Sequence, residues 1–374
     1  MAQDRLTPTW RAGVALAAVT LIGTLLAAGP AALASAPHAS TTSSTSVPTS
    51  VPTSTTSTTS TTSTTVAPLT LTWPSAESAA ILTPELSLQA SSPQQPRVPI
   101  ASITKLMTTW VLLHRLPLSV GQSGPCHVVS AADVALYRHD VVTDQSSAAV
   151  ALGERICEGT LLRGLLVHSA GNFGEILVAM SGLGDARYVS LMNRDARVLG
   201  LRNTHYVDVT GIGAGDRSTA LDQVRLASLL MITEPIVASI VRLPWVRLPV
   251  AGIVDSYTPF VGQGGVIGVK SGYTDLAGGC DVMAIRFHIG ALSTTVYAVV
   301  LGDHGANAIV GSGQIALGLA RQVRSAIRVR GAQHDARLVW VGAPSYVVGT
   351  TTTTSTTTST TTSVPSTSST TTLP

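Results

Sequence analysis

Lysine is almost missing from this chain of 374 residues: of its 23 cationic side chains, all but Lys105 and Lys270 are arginine. Charge of either sign is scarce at 11% of residues, and the formal net charge of +3 gives no electrostatic footing for nucleic acid. Cysteine is limited to Cys126, Cys157 and Cys280, whose spacing matches no metal site. The nine histidines include no H-E-x-x-H or H-x-x-x-H pair, so neither a metal nor a cofactor is expected. Cys126 and Cys157 bracket a candidate hairpin region and are able to pair, whereas Cys280 lies in an apolar strand and reads as a buried small residue. An apolar content of 45% excludes a chain disordered throughout.

Two segments lack charge altogether. Residues 41–65 and 350–374 consist mostly of serine and threonine, with prolines such as Pro48 and Pro52 between them. They have no apolar surface whose burial would offset the entropy of an ordered backbone, and they read as extended, solvated tethers with the composition of O-glycosylated stalks. The N-terminus carries Arg5 and Arg11, an apolar run from Ala12 to Ala28, then Gly29–Pro30 and small residues up to Ala36. This is the layout of a signal for export, cut after Ala34, and the Gly-Pro break favours it over an uncleaved anchor. The expected organisation is therefore a signal over 1–34, a Ser/Thr/Pro-rich linker over 35–65, one large domain over 66–349 and a Thr/Ser-rich tail over 350–374, in an exported, extracellular or wall-associated protein.

A chain that uses arginine almost everywhere should keep lysine where arginine would fail, and an amine differs from a guanidinium in being able to lose its proton when desolvated. Lys105 follows Ser102 by three residues in Pro99–Ile100–Ala101–Ser102–Ile103–Thr104–Lys105–Leu106–Met107, a stretch that reads as the start of a helix running to Leu113. Residues i and i+3 share a helix face, so a buried Lys105 is placed to take the proton of Ser102 and turn it into a nucleophile without histidine. The positive end of the helix also favours the anion that develops in acyl transfer. Lys270 ends the β-branched run Val266–Ile267–Gly268–Val269–Lys270–Ser271–Gly272. On a strand it shares a side with Gly272, which lets a ligand approach the backbone, so Lys270, Ser271 and Gly272 are candidates for binding a carboxylate.

With these motifs the sequence resembles the penicillin-recognising serine enzymes, whose signature runs S-x-x-K, S-x-N and K-T-G or K-S-G. Within them it is similar to the low-molecular-weight D-alanyl-D-alanine carboxypeptidases. Leu201–Arg202–Asn203–Thr204–His205–Tyr206–Val207–Asp208–Val209–Thr210–Gly211 resembles their N-T-H-F-x-D-x-S-G region, and Ala277–Gly278–Gly279–Cys280 resembles the strand after their third motif. The second motif departs from the pattern: Ser169–Ala170–Gly171 carries glycine at its third position, and Asn172 stands one residue late. The resemblance implies Ser102 as nucleophile, Lys105 as its base and Ser169 as proton relay. It also implies Lys270, Ser271 and Gly272 on the substrate carboxylate, with Asn172 a candidate substrate contact. The oxyanion would sit between the N–H groups of Ser102 and Tyr273. The implied partner is a peptidoglycan stem peptide ending in D-Ala-D-Ala, with β-lactams as covalent inhibitors and no nucleic acid.

The implied fold is α+β, an antiparallel sheet with helices on both sides plus a helical subdomain, of β-lactamase/transpeptidase type. The residues agree with it. Asp281–Phe287 and Thr295–Leu301 read as adjacent antiparallel strands joined at Gly290, Ile309–Val323 as a closing helix, and Leu161–Met180 as a helical segment. His168 beside Ser169 lacks the first glycine of a G-x-S-x-G elbow and reads as an ordinary, partly buried histidine. Three alternatives stay open: a transpeptidase, a β-lactamase, for which no E-x-x-L-N segment follows Ser169, and a noncatalytic wall-binding relative.

Overall fold

The computed structural model describes residues 70–74 and 78–331. The signal, linker and tail expected over 1–34, 35–65 and 350–374 lie outside the described residues. In chain order, β1 (Ser78–Thr83) and β2 (Leu88–Ser91) form a hairpin, and β3 (Val98–Pro99) leads through a 3-10 turn, Ala101–Thr104, into α1 (Lys105–Arg115). Then come β4 (Cys126–Val128), α2 (Ala131–Val142), β5 (Arg155–Cys157), α3 (Glu158–Val167), α4 (Gly171–Met180) and α5 (Asp185–Val198). After β6 (Arg217–Ser218), α6 (Ala220–Thr233) and α7 (Pro235–Ile240) lies the hairpin β7 (Trp245–Leu248)–β8 (Gly252–Asp255). The long strands β9 (Val266–Thr274), β10 (Gly278–Ile289) and β11 (Leu292–Asp303) and the helix α8 (Ala308–Gly331) complete the fold. No helix among the described residues is long and apolar enough to cross a membrane.

The main sheet has the order β2-β1-β11-β10-β9 and is antiparallel throughout. Its central strands are buried on both faces, and for that reason they read as near-continuous apolar runs. On β11, Val296, Ala298 and Val300 pack with Ala316, Leu319, Ala320 and Val323 of α8. The alternate residues Tyr297, Val299 and Leu301 join a second core with α1, α3 and α6. This period of two is what a strand between two helical layers requires. The fold is the expected α+β arrangement, and β10 and β11 turn at Gly290, which has φ +58°.

Two expectations change in detail. Ser102 lies in the 3-10 turn, and α1 begins at Lys105 itself. The stretch 161–180 is two helices, broken at His168–Ala170, because Ser169 adopts φ +63°, the left-handed conformation that ends a right-handed helix. The apolar pattern Leu161–Val178 runs through this break and conceals it.

Cys126 and Cys157 are cross-strand partners in the β4–β5 ribbon and form a disulfide across a separation of 31 residues, with α2 inside the loop they close. Cys280 is buried and unpaired. Constraining an unfolded loop of that length is worth roughly 3–4 kcal/mol in the chain-entropy account. Replacing both cysteines by serine should lower the denaturant midpoint by that amount of stability. An unchanged midpoint in equilibrium unfolding would show that the bridge does not constrain the unfolded chain.

Candidate active site

The turn Ala101–Thr104 presents Ser102 where α1, β9 and the 201–216 loop meet. Lys105, only 1% exposed, donates from Nζ to Ser102 Oγ at 2.8 Å and to the Thr210 carbonyl at 2.6 Å. Burial lowers its amine from the ordinary lysine value to about 8, while Asp208, Asp140, Glu175 and Asp216 pull it back upward. An amine so placed holds a proton weakly and touches the one hydroxyl it would deprotonate.

The Thr210 carbonyl is fixed by the loop's own carboxylates. Asp208 Oδ1 accepts from the N–H groups of Thr210 and Gly211 at 2.8 and 2.6 Å, and its Oδ2 accepts from Gly213. Asp216 accepts from the hydroxyl of Thr104 at 2.8 Å, tying the loop to the start of α1, and burial with the nearby Asp208 raises its carboxyl to about 7. Gly211, at φ +87°, packs so closely that a Cβ there would stand 1.8 Å from the Ala101 carbonyl oxygen. No other residue fits that approach.

From the opposite side β9 presses its backbone on the same turn: a Cβ on Gly272 would stand 2.7 Å from the Ser102 nitrogen. Lys270 is wholly buried and donates to the Ser271 carbonyl at 2.6 Å. Burial and the like charge of Lys105 push its amine well below the usual range, and Asp281 acts the other way. The Ser271 hydroxyl donates to the Tyr257 carbonyl at 2.7 Å, so it must turn to reach a ligand. Ser102, Lys105, Lys270 and Gly272 are thus drawn together from positions far apart in sequence.

The second motif is less simply placed. Ser169 is 2% exposed, and its Oγ has no hydrogen-bond partner. Asn172 does not supply the missing amide: its Oδ1 accepts from the Ala148 N–H at 3.0 Å and its Nδ2 donates to the Ala148 carbonyl at 2.8 Å. Both ends of the side chain are bound to backbone, so contact with a ligand would require it to release Ala148. His168 is held by the Asp255 carbonyl at 3.1 Å and stacks on Tyr257, in keeping with an ordinary histidine. Asp140 escaped the sequence reading. It is 4% exposed, acts on Lys105, and its Oδ2 lies 3.9 Å from where a Cβ of residue 171 would be.

A family model for D-alanyl-D-alanine carboxypeptidases matches residues 78–305. The curated relative D-alanyl-D-alanine carboxypeptidase DacD of Salmonella typhimurium is 30% identical over 156 residues, 40% of this chain and 38% of that protein. A D-alanyl-D-alanine endopeptidase of Pseudomonas aeruginosa is 31% identical over 136 residues, 34% of this chain and 38% of that protein. The matches therefore span about two fifths of the length of these relatives. Among solved structures, the Streptomyces K15 DD-transpeptidase superposes with a TM-score of 0.58 at 22% identity, covering 68% of this chain and 100% of that one. Penicillin-binding protein 6B from Escherichia coli gives 0.57 at 23%, covering 66% and 76%. These structures share the fold, and the family match extends from β1 past the end of β11: the chain belongs to the D-alanyl-D-alanine carboxypeptidase family.

Proposed function

We propose that this protein is an exported serine-type D-Ala-D-Ala carboxypeptidase that trims the terminal D-alanine of peptidoglycan stem peptides. The observation that carries the reading is the 2.8 Å contact of a wholly buried Lys105 amine with the Ser102 hydroxyl. Ser102 Oγ attacks the carbonyl between the two D-alanines as its proton passes to Lys105, and the N–H groups of Ser102 and Tyr273 receive the oxyanion. The departing amine takes a proton through Ser169, the peptidyl ester remains on Ser102, and water resolves it. Lys270 and Ser271 hold the terminal carboxylate, and Gly272 lets it approach the strand. A β-lactam carries the same carboxylate beside a strained amide and would acylate the same oxygen. No step calls for a metal or cofactor.

A second reading has one observation in its favour: with Gly171 in the S-x-N position and the Asn172 amide bound to Ala148, the pattern's substrate amide has no counterpart. A wall-binding protein of impaired activity would bind stem peptides without releasing D-alanine, and binding would survive Ser102→Ala.

Incubation of the full chain with penicillin should add one drug mass, measured on the intact protein, and Ser102→Ala should abolish the adduct. Lys105→Arg keeps the charge and removes the base, so acylation should fall at least about 100-fold. A folded chain that forms no adduct would leave the binding reading in place.

Lys105 acts in its neutral form, so the acylation rate should climb with pH through its value of about 8. Asp140 favours the protonated amine, and its removal makes deprotonation easier. In Asp140→Asn the acid limb of kcat/KM should therefore move to lower pH. A limb that stays in place or moves upward would show that Lys105 is not the titrating base.

A further inference from the structure

Two adjacent threonines of α1 use their hydroxyls differently. Thr109 donates from Oγ1 to the Lys105 carbonyl at 2.8 Å, the bond to the residue four back that a helical threonine ordinarily makes. Thr108 has the equivalent acceptor in reach, the Thr104 carbonyl at 3.4 Å, yet its shorter bond leaves the helix: Oγ1 donates to the Val209 carbonyl at 2.7 Å. That hydroxyl is buried, and from α5 the buried Tyr188 donates to the Thr108 carbonyl at 2.7 Å. Thr108 is thus held from one side while it holds the 201–216 loop from the other.

Thr104, Lys105 and Thr108 fall on one face at the start of α1, and all three reach that loop, at Asp216, the Thr210 carbonyl and the Val209 carbonyl. The peptide unit between Val209 and Thr210 is gripped at both ends, its carbonyl by Thr108 and its N–H by Asp208 Oδ1 at 2.8 Å. The next unit carries the Thr210 carbonyl, and its N–H, on Gly211, is bound to the same carboxylate oxygen at 2.6 Å. A neutral lysine amine has two hydrogens and one lone pair. A carbonyl only accepts, so it takes one hydrogen and turns the lone pair away from itself, leaving it for the Ser102 hydroxyl 2.8 Å from Nζ.

We propose that Thr108 is a positioning residue for Lys105: through the Val209–Thr210 peptide it aims the Thr210 carbonyl at the amine, and that carbonyl aims the amine's lone pair at Ser102. This rests on the reading of Lys105 as the base. Without the Thr108 hydroxyl, the Val209–Thr210 peptide is held by Asp208 alone, the Thr210 carbonyl swings, and the amine is free to rotate. An accepting carbonyl also favours the protonated amine. Its loss therefore makes Lys105 easier to deprotonate and, at the same time, a less well aimed base.

The test is Thr108→Val, which keeps the branched side chain and removes the hydroxyl. The charges that act on Lys105, those of Asp208, Asp140, Glu175 and Asp216 and its mutual repulsion with Lys270, all remain in this variant. Because the chain has only two lysines, the full protein labelled with 13C at lysine Cε gives two signals to follow by NMR against pH, assigned by their loss in Lys105→Arg and Lys270→Arg. In Thr108→Val the Lys105 midpoint should fall by at least about 0.5 pH unit, an about threefold loss of proton affinity, while the Lys270 midpoint does not fall. Acylation by penicillin, read as intact mass against time, should slow at least about tenfold. Thr108→Ser should restore both readings, and Thr109→Val, which loses a hydroxyl bonded only within α1, should change neither. An unmoved Lys105 midpoint or wild-type acylation in Thr108→Val would overturn the proposal, as would equal losses in Thr108→Ser or Thr109→Val, or a fall at both lysines. A wild-type chain that penicillin does not acylate would count against the functional reading alone, since the Lys105 midpoint still reports on Thr108.

Discussion

The removal of one amine from water is the constraint on which the rest of this site depends. Lowering Lys105 from the usual lysine value to about 8 represents roughly 3 kcal/mol of preference for the neutral form. The fold must supply that preference while still satisfying the hydrogen bonds of the amine. It does so by starting α1 at Lys105, so that the side chain begins inside the core and ends between the Ser102 hydroxyl and the Thr210 carbonyl. The four carboxylates that oppose the shift keep it moderate. Desolvation alone would leave an amine permanently neutral, unable to hold the proton it takes from Ser102 and pass it on.

Such a site needs three pieces of backbone within contact distance, and two glycines make this possible. Gly211 brings the Asp208 loop against Ala101, and Gly272 brings β9 against Ser102; a Cβ at either position would overlap backbone, which has no means of moving aside. The nucleophile turn is strained to match, with Ala101 at φ +47°, an uncommon conformation for a residue with a side chain. Strain at Ala101 and left-handed backbone at Ser169 both fall where the chemistry is proposed. Neighbouring packing holds them in place: Ile100, Ile103 and Leu106 on one side, and Leu166, Val167 and Phe173 on the other, are all buried.

What could be read from the sequence follows the physical range of each signal. Amphipathic period and apolar runs are local, and they located β10, β11 and the starts of α8 and α1 to within a few residues, while α8 runs on past Val323 to Gly331. The scarcity of lysine is global and chemical, and it pointed to Lys105 and Lys270 before any geometry was known. Features set by a single dihedral angle or by distant partners left no such mark. The break between α3 and α4 depends on φ at Ser169 inside an unbroken apolar stretch, and the turn before α1 replaces a helix that the pattern extended back to Ser102. Asp140, Asp216 and Asp281 stand at no recognisable spacing, and their environment is created by segments far away in sequence.

The second motif shows how a local change of residue redirects a whole segment. Glycine at position 171 lets the Ser146 carbonyl come within 2.7 Å of the Gly171 N–H, in space where a Cβ would already crowd that oxygen at 3.3 Å. With the chain at 146 drawn in, Ala148 falls into register with the Asn172 amide and takes both of its hydrogen bonds. The start of α4 thus anchors the segment that follows α2, and the same approach leaves the Asp140 carboxylate beside Gly171, within electrostatic reach of Lys105. An asparagine at 171 would press its Cβ on the 146 carbonyl at 3.3 Å, and that oxygen would have to give by a few tenths of an ångström. The start of α4, the segment after α2 and the Asp140 carboxylate therefore meet around Gly171, and a larger residue at that position acts on all three.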